Sequence, residues 1–166
     1  ERGKLRGLII DPTRELVEQI NDTIIAFGQK TGLRSVTIYG GVNIKGQLTK
    51  LRQGVDIIVA CPGRLLDHLQ QGSVNFKQLE MLVLDEADEM LSKGFQEQIK
   101  SIFQMLPRNV QVGIFSATLT REVMDLTPNF MNNPVKITMA ADKLTLDGIR
   151  QYYIASEYDD DKFDSL

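Results

Sequence analysis

Short apolar runs recur along the chain and are separated by segments with a helical pattern. Most of the runs are apolar at consecutive positions, which is typical of strands buried on both faces of a parallel sheet. The six candidate strands are residues 5–10, 35–39, 55–60, 81–84, 111–115 and 135–139. The pattern therefore predicts a parallel sheet that needs helices on both of its faces.

Between the strands, apolar residues recur at spacings of three and four. In segment 14–27 these residues are Val17, Ile20, Ile24 and Phe27, which form an amphipathic stripe. Similar signals occur at residues 47–52, 64–69 and 95–106, and the last has an apolar face of Phe95, Ile99, Ile102, Phe103 and Leu106. Alternation of strands and helices predicts an α/β doubly wound fold.

The pattern weakens toward the C-terminus. Segment 121–131 is helical in pattern but contains Pro128, which predicts a helix that is kinked or ends early. Beyond it, residues 144–148 are linker-like, 149–155 are strand-like and 159–161 are acidic. We interpret residues 144–166 as a linker and the beginning of a second, truncated domain.

The composition restricts the kinds of function that the chain can carry. The 166 residues suffice for one core, and 42% hydrophobic and 25% charged residues are ordinary for a globular domain. One cysteine, Cys61, and one histidine, His68, exclude a disulfide scaffold and a clustered zinc site. With a net charge of −3, nucleic acid would have to bind at a local patch. No apolar run approaches the roughly 20 residues of a membrane span, and an intracellular location, cytoplasmic or nuclear, is predicted.

Three carboxylates follow the fourth candidate strand. Asp85, Glu86 and Asp88 come directly after the apolar run 82–84. In open α/β sheets, ligands bind beyond the carboxyl ends of the strands, and clustered acids there suit Mg²⁺. A negatively charged loop that caps the next helix explains the same residues about equally well.

Other strand ends carry residues suited to anions. Arg14 and Arg64 each follow a strand and lie near a predicted helix start, an arrangement that suits phosphates. Ser116 and Thr118 could reach a neighbouring carboxylate, although an ordinary helix N-cap explains them as well. The pair Gly40-Gly41 permits close backbone approach to a ligand, and a tight turn is the simpler explanation.

Taken in order, these segments resemble the signature motifs of the DEAD-box ATP-dependent RNA helicases. The segments are Pro12-Thr13-Arg14-Glu15-Leu16, Gly40-Gly41, Pro62-Gly63-Arg64, Asp85-Glu86-Ala87-Asp88 and Ser116-Ala117-Thr118. Residues 80–166 resemble the translation-initiation branch most closely, whereas residues 1–70 look more like other branches, which suggests a mosaic sequence. The resemblance implies a RecA-like fold, with residues 1–143 as a partial first helicase domain.

The resemblance also implies roles for individual residues. Asp85 and Glu86 would hold Mg²⁺ through water, with Glu86 as general base, and Asp88 would join Ser116 and Thr118 in linking the ATP state to the grip on RNA. The residues expected to bind the RNA backbone are Pro12, Thr13, Arg14, Gly40, Gly41, Gln47, Pro62, Gly63 and Arg64. Cys61, where a threonine is usual, and Lys50, where an arginine is usual, depart from the family pattern.

The phosphate-binding loop of such enzymes has the form G-x-x-x-x-G-K-[ST] after a strand, and no segment of the chain satisfies it. We therefore expect a fold truncated at its N-terminal P-loop strand. ATP and Mg²⁺ would be cofactors of the intact parent, and this chain alone would bind neither tightly and would not turn over ATP.

Three functional readings stay open at this point. The chain is a fragment of an RNA-stimulated ATPase that unwinds duplexes in its intact form, a non-enzymatic RNA- or protein-binding module, or a recombined or truncated structural unit. The expected partners are single-stranded RNA or an RNA duplex and the second RecA-like domain. Self-association through an exposed sheet edge is a further expectation, because unpaired edges recruit other strands.

Overall fold

The computed structural model describes residues 3–92, 94–138, 148–150, 152–155 and 162. The chain divides into two compact units, residues 1–133 and 134–166. In the first unit the described strands are β1 (Gly7–Ile10), β2 (Ser35–Ile38), β3 (Ile57–Ala60), β4 (Met81–Leu84) and β5 (Gln111–Ile114). The described helices are α1 (Arg14–Gly28), α2 (Ile44–Arg52), α3 (Pro62–Gln70), α4 (Ala87–Ser92), α5 (Gln96–Gln104) and α6 (Arg121–Phe130).

The strands form one parallel sheet in the order β2-β3-β1-β4-β5. Right-handed crossovers place α1 on one face and α2, α3 and α5 on the other, because the chain moves toward β2 first and then back across the sheet. The predicted α/β doubly wound fold is therefore confirmed.

The main core lies on the face that α2, α3 and α5 cover. Leu8, Ile58 and Leu82 stand side by side in the register and are each at most 1% exposed, as are Ile10 and Leu84 one pleat further along. From α5, Ile99, Ile102 and Phe103 complete this core, as the helical pattern predicted. This packing holds the carboxyl ends of all five strands at one edge.

The helix starts follow local hydrogen-bonding chemistry. The Thr13 hydroxyl accepts a hydrogen bond from the Leu16 N–H and caps α1. The side-chain oxygen Oδ1 of Asn43 accepts one from the Lys45 N–H and caps α2. The α3 helix starts at Pro62, which occupies a first-turn position where its missing N–H costs nothing. Both α2 and α3 thus begin earlier than the apolar pattern alone predicted.

Two expectations from the sequence are wrong, and a third is wrong in one of its two alternatives. Phe27, predicted to lie on the buried stripe of α1, is 86% exposed. The α6 helix does not end early at Pro128, because it continues to Phe130, and the alternative of a kink stays a prediction. Residues 135–138 of the predicted sixth strand have no regular structure, and Val135 and Ile137 are 88% and 92% exposed. Strand-forming residues without a neighbouring strand to pair with do not form a strand.

In the second unit, residues 152–155 are also not in a strand, and Tyr152 and Tyr153 are 84% and 94% exposed. Residues 149 and 150 of the same strand-like segment have no regular structure either. Residue 151, most of the linker-like segment and the acidic run lie outside the described residues. Among the helices of the described residues, none has the length and apolar character needed to cross a membrane.

Candidate functional site

The carboxyl ends of the strands bring the predicted motifs to one edge of the sheet. The last residues of the five strands, Ile38, Ala60, Ile10, Leu84 and Ile114, are in register. The loop that follows each strand therefore starts at the same edge. Those loops contain the segments 39–43, 61–64, 11–14, 85–88 and 115–118, which hold every predicted site residue except Gln47. We call this set of loops the carboxyl edge.

Arg14 is held at this edge by two residues that sequence reasoning missed. Its guanidinium lies over the Tyr39 ring, with Cζ 4.8 Å from the ring centroid, and its Nε is 3.3 Å from Glu18 Oε1. The Tyr39 hydroxyl donates to the same carboxylate oxygen at 2.5 Å. This hydrogen bond raises the pKa of Tyr39 and lowers that of Glu18. Arg14 is therefore oriented by stacking and charge while half of its side chain stays exposed.

The folded structure accounts for the presence of glycine at only one of the three glycine positions of the carboxyl edge. Gly41 has φ +79°, a conformation that favours glycine, whereas neither Gly40 nor Gly63 has such a φ. A Cβ atom added at any of these three positions would meet nothing within 4 Å. The folded chain thus gives no steric or conformational reason for glycine at Gly40 and Gly63. Open space above both is what a ligand backbone in close approach would need.

Arg64, on the first turn of α3, reaches back to the Gly40-Gly41 loop. Its Nη1 donates to the Val42 carbonyl at 3.2 Å and to Gln47 Oε1 at 3.3 Å. Gln47, predicted to contact RNA, is only 6% exposed, and its amide nitrogen donates to the Tyr39 carbonyl at 2.9 Å. Burial and these bonds favour a supporting role for Gln47. Pro12 and Pro62 are also buried.

The acidic loop after β4 starts with two carboxylates in an unusual backbone setting. Glu86 has φ +48°, a left-handed conformation that is uncommon outside glycine and is found disproportionately at functional sites. Its N–H donates to Asp85 Oδ1 at 3.0 Å. Burial, followed by the charges of Asp85, Asp88 and Glu89, raises the pKa of Glu86. A divalent cation would relieve this repulsion, although no group of three or more metal-ligating side chains occurs among the described residues.

Asp88 joins the acidic loop to the loop after β5. Its Oδ2 accepts hydrogen bonds from the Thr118 hydroxyl at 2.6 Å and the Thr118 N–H at 2.9 Å. Ser116 Oγ accepts from the Asp88 N–H at 3.2 Å and donates to the Thr118 carbonyl at 2.7 Å. Burial raises the pKa of Asp88, but the hydrogen bonds from Thr118 and Ser116 outweigh it and lower the pKa. Of the two hydroxyls that the sequence suggested could reach a carboxylate, that of Thr118 does so, whereas that of Ser116 contacts the Asp88 backbone N–H.

Asp11 is an edge residue that the sequence interpretation did not single out. It is fully buried, its Oδ2 has no hydrogen-bond partner, and its Oδ1 accepts only a long bond of 3.5 Å from the Thr13 N–H. Burial raises its pKa to about 6, and the charges of Asp85, Glu86 and Glu89 add to the effect. A carboxyl directly after an apolar strand is the sequence signal that could have identified it.

Comparison with known proteins shows which family the chain resembles. The family model described as DEAD/DEAH box helicase matches residues 1–126. The chain is 45% identical over 161 residues to an ATP-dependent RNA helicase eIF4A of Chaetomium globosum, covering 97% of the chain and 41% of that protein. It is 41% identical over 166 residues to eukaryotic initiation factor 4A of Caenorhabditis elegans, covering 100% of the chain and 41% of that protein.

A solved structure agrees with these sequence matches. The crystal structure of a DEAD box protein from the hyperthermophile Methanococcus jannaschii superposes with a TM-score of 0.76 at 36% identity, covering 78% of this chain and 36% of that one. The chain thus spans about two fifths of the length of the curated relatives it matches.

Proposed function

The chain belongs to the DEAD/DEAH box helicase family, and we propose that it supplies the RNA-gripping part of an ATP-dependent RNA helicase. In this proposal, residues 1–143 form part of the first RecA-like domain, and residues 144–166 lead toward the second. The carboxyl edge binds the sugar-phosphate backbone of RNA through Arg14, Arg64 and the loops that hold them. Contacts of this kind carry little sequence information, so binding is largely independent of base sequence.

One observation carries the proposal more than any other. Gly40 and Gly63 are glycines that the fold itself does not require. Gly40 lies in the loop that Arg14 and Arg64 contact, and Gly63 directly precedes Arg64 on the first turn of α3. Two guanidinium groups beside an open backbone surface suit a phosphodiester chain, because arginine pairs with phosphate and unhindered N–H groups can approach it. An isolated arginine or a turn glycine would not explain this combination.

Gly63→Ala is the sharpest test of this site. We expect the variant to lower the affinity for a fluorescent single-stranded RNA roughly tenfold, because the added methyl group occupies the space that the RNA backbone needs. Urea denaturation should show unchanged or slightly higher stability, since alanine favours a helix more than glycine does.

Gly46→Ala provides the matched control for this test. Gly46 lies inside α2, has open space around its Cβ position and has no unusual φ. Its substitution should also preserve stability but leave RNA affinity unchanged. Equal RNA affinity of Gly63→Ala and the unaltered chain would contradict the proposal.

The acidic loop fits a second part of the proposal, a site for Mg²⁺ and ATP. Asp85 and Glu86 offer the oxygen ligands that Mg²⁺ prefers, and we propose that they hold it through water, with Glu86 as general base. Bound Mg²⁺ would neutralise charge on the phosphates of ATP. Asp88, locked to Ser116 and Thr118, would transmit changes in the acidic loop to the loop after β5.

We further propose that these 166 residues alone do not hydrolyse ATP. They contain no G-x-x-x-x-G-K-[ST] segment, and the backbone N–H cradle and lysine of that segment are what holds the phosphates in such enzymes. RNA-stimulated release of phosphate should therefore be the same for the unaltered chain and for Glu86→Gln. Turnover that disappears in Glu86→Gln would show that ATP is held without this segment.

A last proposal concerns the sheet edge at β5. Among the described strands, β5 pairs only with β4, and the adjoining Phe115 and Leu119 are 58% and 54% exposed. We propose that this edge self-associates, because unpaired strand edges recruit further strands. Light scattering that shows only monomer at high protein concentration would contradict this.

A further inference from the structure

His68 is a buried polar residue whose side chain is not accessible to RNA. It lies on α3, one turn after Arg64, and is 0% exposed. Both ring nitrogens nevertheless have partners: Nδ1 is 2.7 Å from Ser73 Oγ, and Nε2 is 3.1 Å from Gln47 Oε1. A buried histidine whose two ring nitrogens are both hydrogen-bonded belongs to a polar network. Such a network holds its member side chains in fixed positions.

The surrounding bonds determine which ring nitrogen carries the proton. Because the Gln47 amide nitrogen donates to the Tyr39 carbonyl, the Gln47 atom that faces His68 is the oxygen, which can only accept. His68 Nε2 must therefore carry a hydrogen and donate it. The Ser73 hydroxyl lies 2.7 Å from Nδ1 and 3.0 Å from the His68 carbonyl oxygen, and a neutral imidazole is completed when it donates to Nδ1. Burial lowers the pKa of His68, and the charge of Arg64 adds to the effect while Asp67 opposes it.

The chain of hydrogen bonds ends at the arginine of the candidate RNA site. Gln47 Oε1 accepts from both His68 Nε2 and Arg64 Nη1, so one buried oxygen connects the two side chains. Arg64 Nη1 also donates to the Val42 carbonyl in the Gly40-Gly41 loop. These hydrogen bonds use Nη1 of the guanidinium, and Nε lies 3.7 Å from the exposed Asp67 Oδ2 in an ion pair. The side chain is 16% exposed, which leaves a small outer surface for a ligand.

We propose that His68 is a positioning residue that, through Gln47, fixes the guanidinium of Arg64 for contact with an RNA phosphate. This inference rests on the proposed RNA-binding function of the carboxyl edge. His68 itself touches no ligand. It orients the Gln47 carboxamide, and the oriented oxygen holds Nη1 so that the opposite side of the guanidinium faces outward. The Arg14 guanidinium is held by the ring of Tyr39 and by Glu18, whereas Gln47 bonds only the backbone carbonyl of Tyr39, so His68 is connected to Arg14 only indirectly.

The first part of the test measures the order of the Arg64 side chain without any RNA. In ¹⁵N-labelled protein, the heteronuclear NOE of the Arg64 Nε–H should be high in the unaltered chain and should fall in His68→Leu and in Gln47→Met. His68→Gln keeps an N–H donor toward Gln47 and should restore much of the NOE. The Arg14 Nε–H signal should not change in any of these variants. An Arg64 NOE that stays high in His68→Leu would overturn the proposal.

The second part measures RNA affinity in a double-mutant cycle. His68→Leu should weaken binding of a single-stranded RNA roughly tenfold in the unaltered chain, and by less than about twofold when Arg64 is already alanine. In an Arg14→Ala background the tenfold loss should persist. A similar loss with and without Arg64 would overturn the proposal, because His68 would then act by another route.

A destabilised control separates positioning from a general loss of structure. Leu69→Ala removes a partly buried apolar side chain from the same helix without touching the hydrogen bonds. It should lower stability but leave the Arg64 NOE and the RNA affinity unchanged, and a parallel loss of both would overturn the proposal. If the unaltered chain binds no RNA while the Arg64 NOE still depends on His68, RNA is the wrong ligand but the positioning role stands.

Discussion

Removing both edge arginines should lower RNA affinity roughly a hundredfold. Charge-assisted hydrogen bonds contribute about 1.5–3 kcal/mol each, so the loss of two corresponds to at least two factors of ten. The double variant Arg14→Ala/Arg64→Ala should also make the dependence of log K on log salt shallower by about 1.4, since each phosphate contact on a single strand contributes about 0.7. Titration of a fluorescent RNA at several salt concentrations measures both effects.

A control with the same change in net charge tests whether position matters. Lys77 and Arg108 are exposed and precede β4 and β5, so they lie at the opposite edge of the sheet. Lys77→Ala/Arg108→Ala should leave the salt dependence nearly unchanged. If this control weakens binding as much as the loss of Arg14 and Arg64, RNA is attracted by the general charge of the protein and no formed site exists at the carboxyl edge.

The location of the candidate site could be predicted from the sequence because parallel strands end together. Consecutive apolar residues predicted the strands, and the residues that follow them, such as Arg14, Arg64 and Asp85, had to meet at one edge. The sequence left open whether Ser116 and Thr118 cap a helix or reach a carboxylate, and the family resemblance implied the contact with Asp88. These predictions depend on the parallel direction of the strands, which runs of consecutive apolar residues indicate.

The contacts that orient the arginines could not be predicted in the same way. Tyr39 and Glu18 are 21 residues apart, as are His68 and Gln47, and their contacts depend on side-chain rotamers that no local pattern specifies. The sequence therefore placed Gln47 among the predicted RNA contacts, although its buried side-chain amide accepts a hydrogen bond from Arg64. The strand predicted at residues 135–139 shows that local strand propensity can also mislead, because it has an effect only where a neighbouring strand is available.

Asp11→Asn should stabilise the folded chain by about 1–3 kcal/mol at pH 8, because the carboxyl is charged there and burial raises its pKa to about 6. The Asp11 carboxyl is fully buried, its Oδ2 has no partner, and the nearby carboxylates of the acidic loop repel its charge. Asparagine keeps the shape and the acceptor for the Thr13 N–H but removes the charge. Urea denaturation of the two proteins measures the difference in the free energy of unfolding.

The stabilisation by Asp11→Asn should depend on pH, which a change in packing alone would not produce. The pKa of Asp11 is raised to about 6 in the folded chain, above the usual value of 3.8, so between these values the folded state binds more protons than the unfolded state. Stability therefore falls as pH rises through this range, and the penalty is complete above pH 6. The advantage of Asp11→Asn should shrink toward zero at pH 4, where the buried carboxyl is already neutral. Asp22→Asn, which removes the same charge from an exposed position on α1, should show no such trend. An equal gain at pH 4 and pH 8 would contradict this prediction, because it would mean that the pKa of Asp11 is the same in the folded and unfolded chains and that its buried position beside the acidic loop does not disfavour its charge.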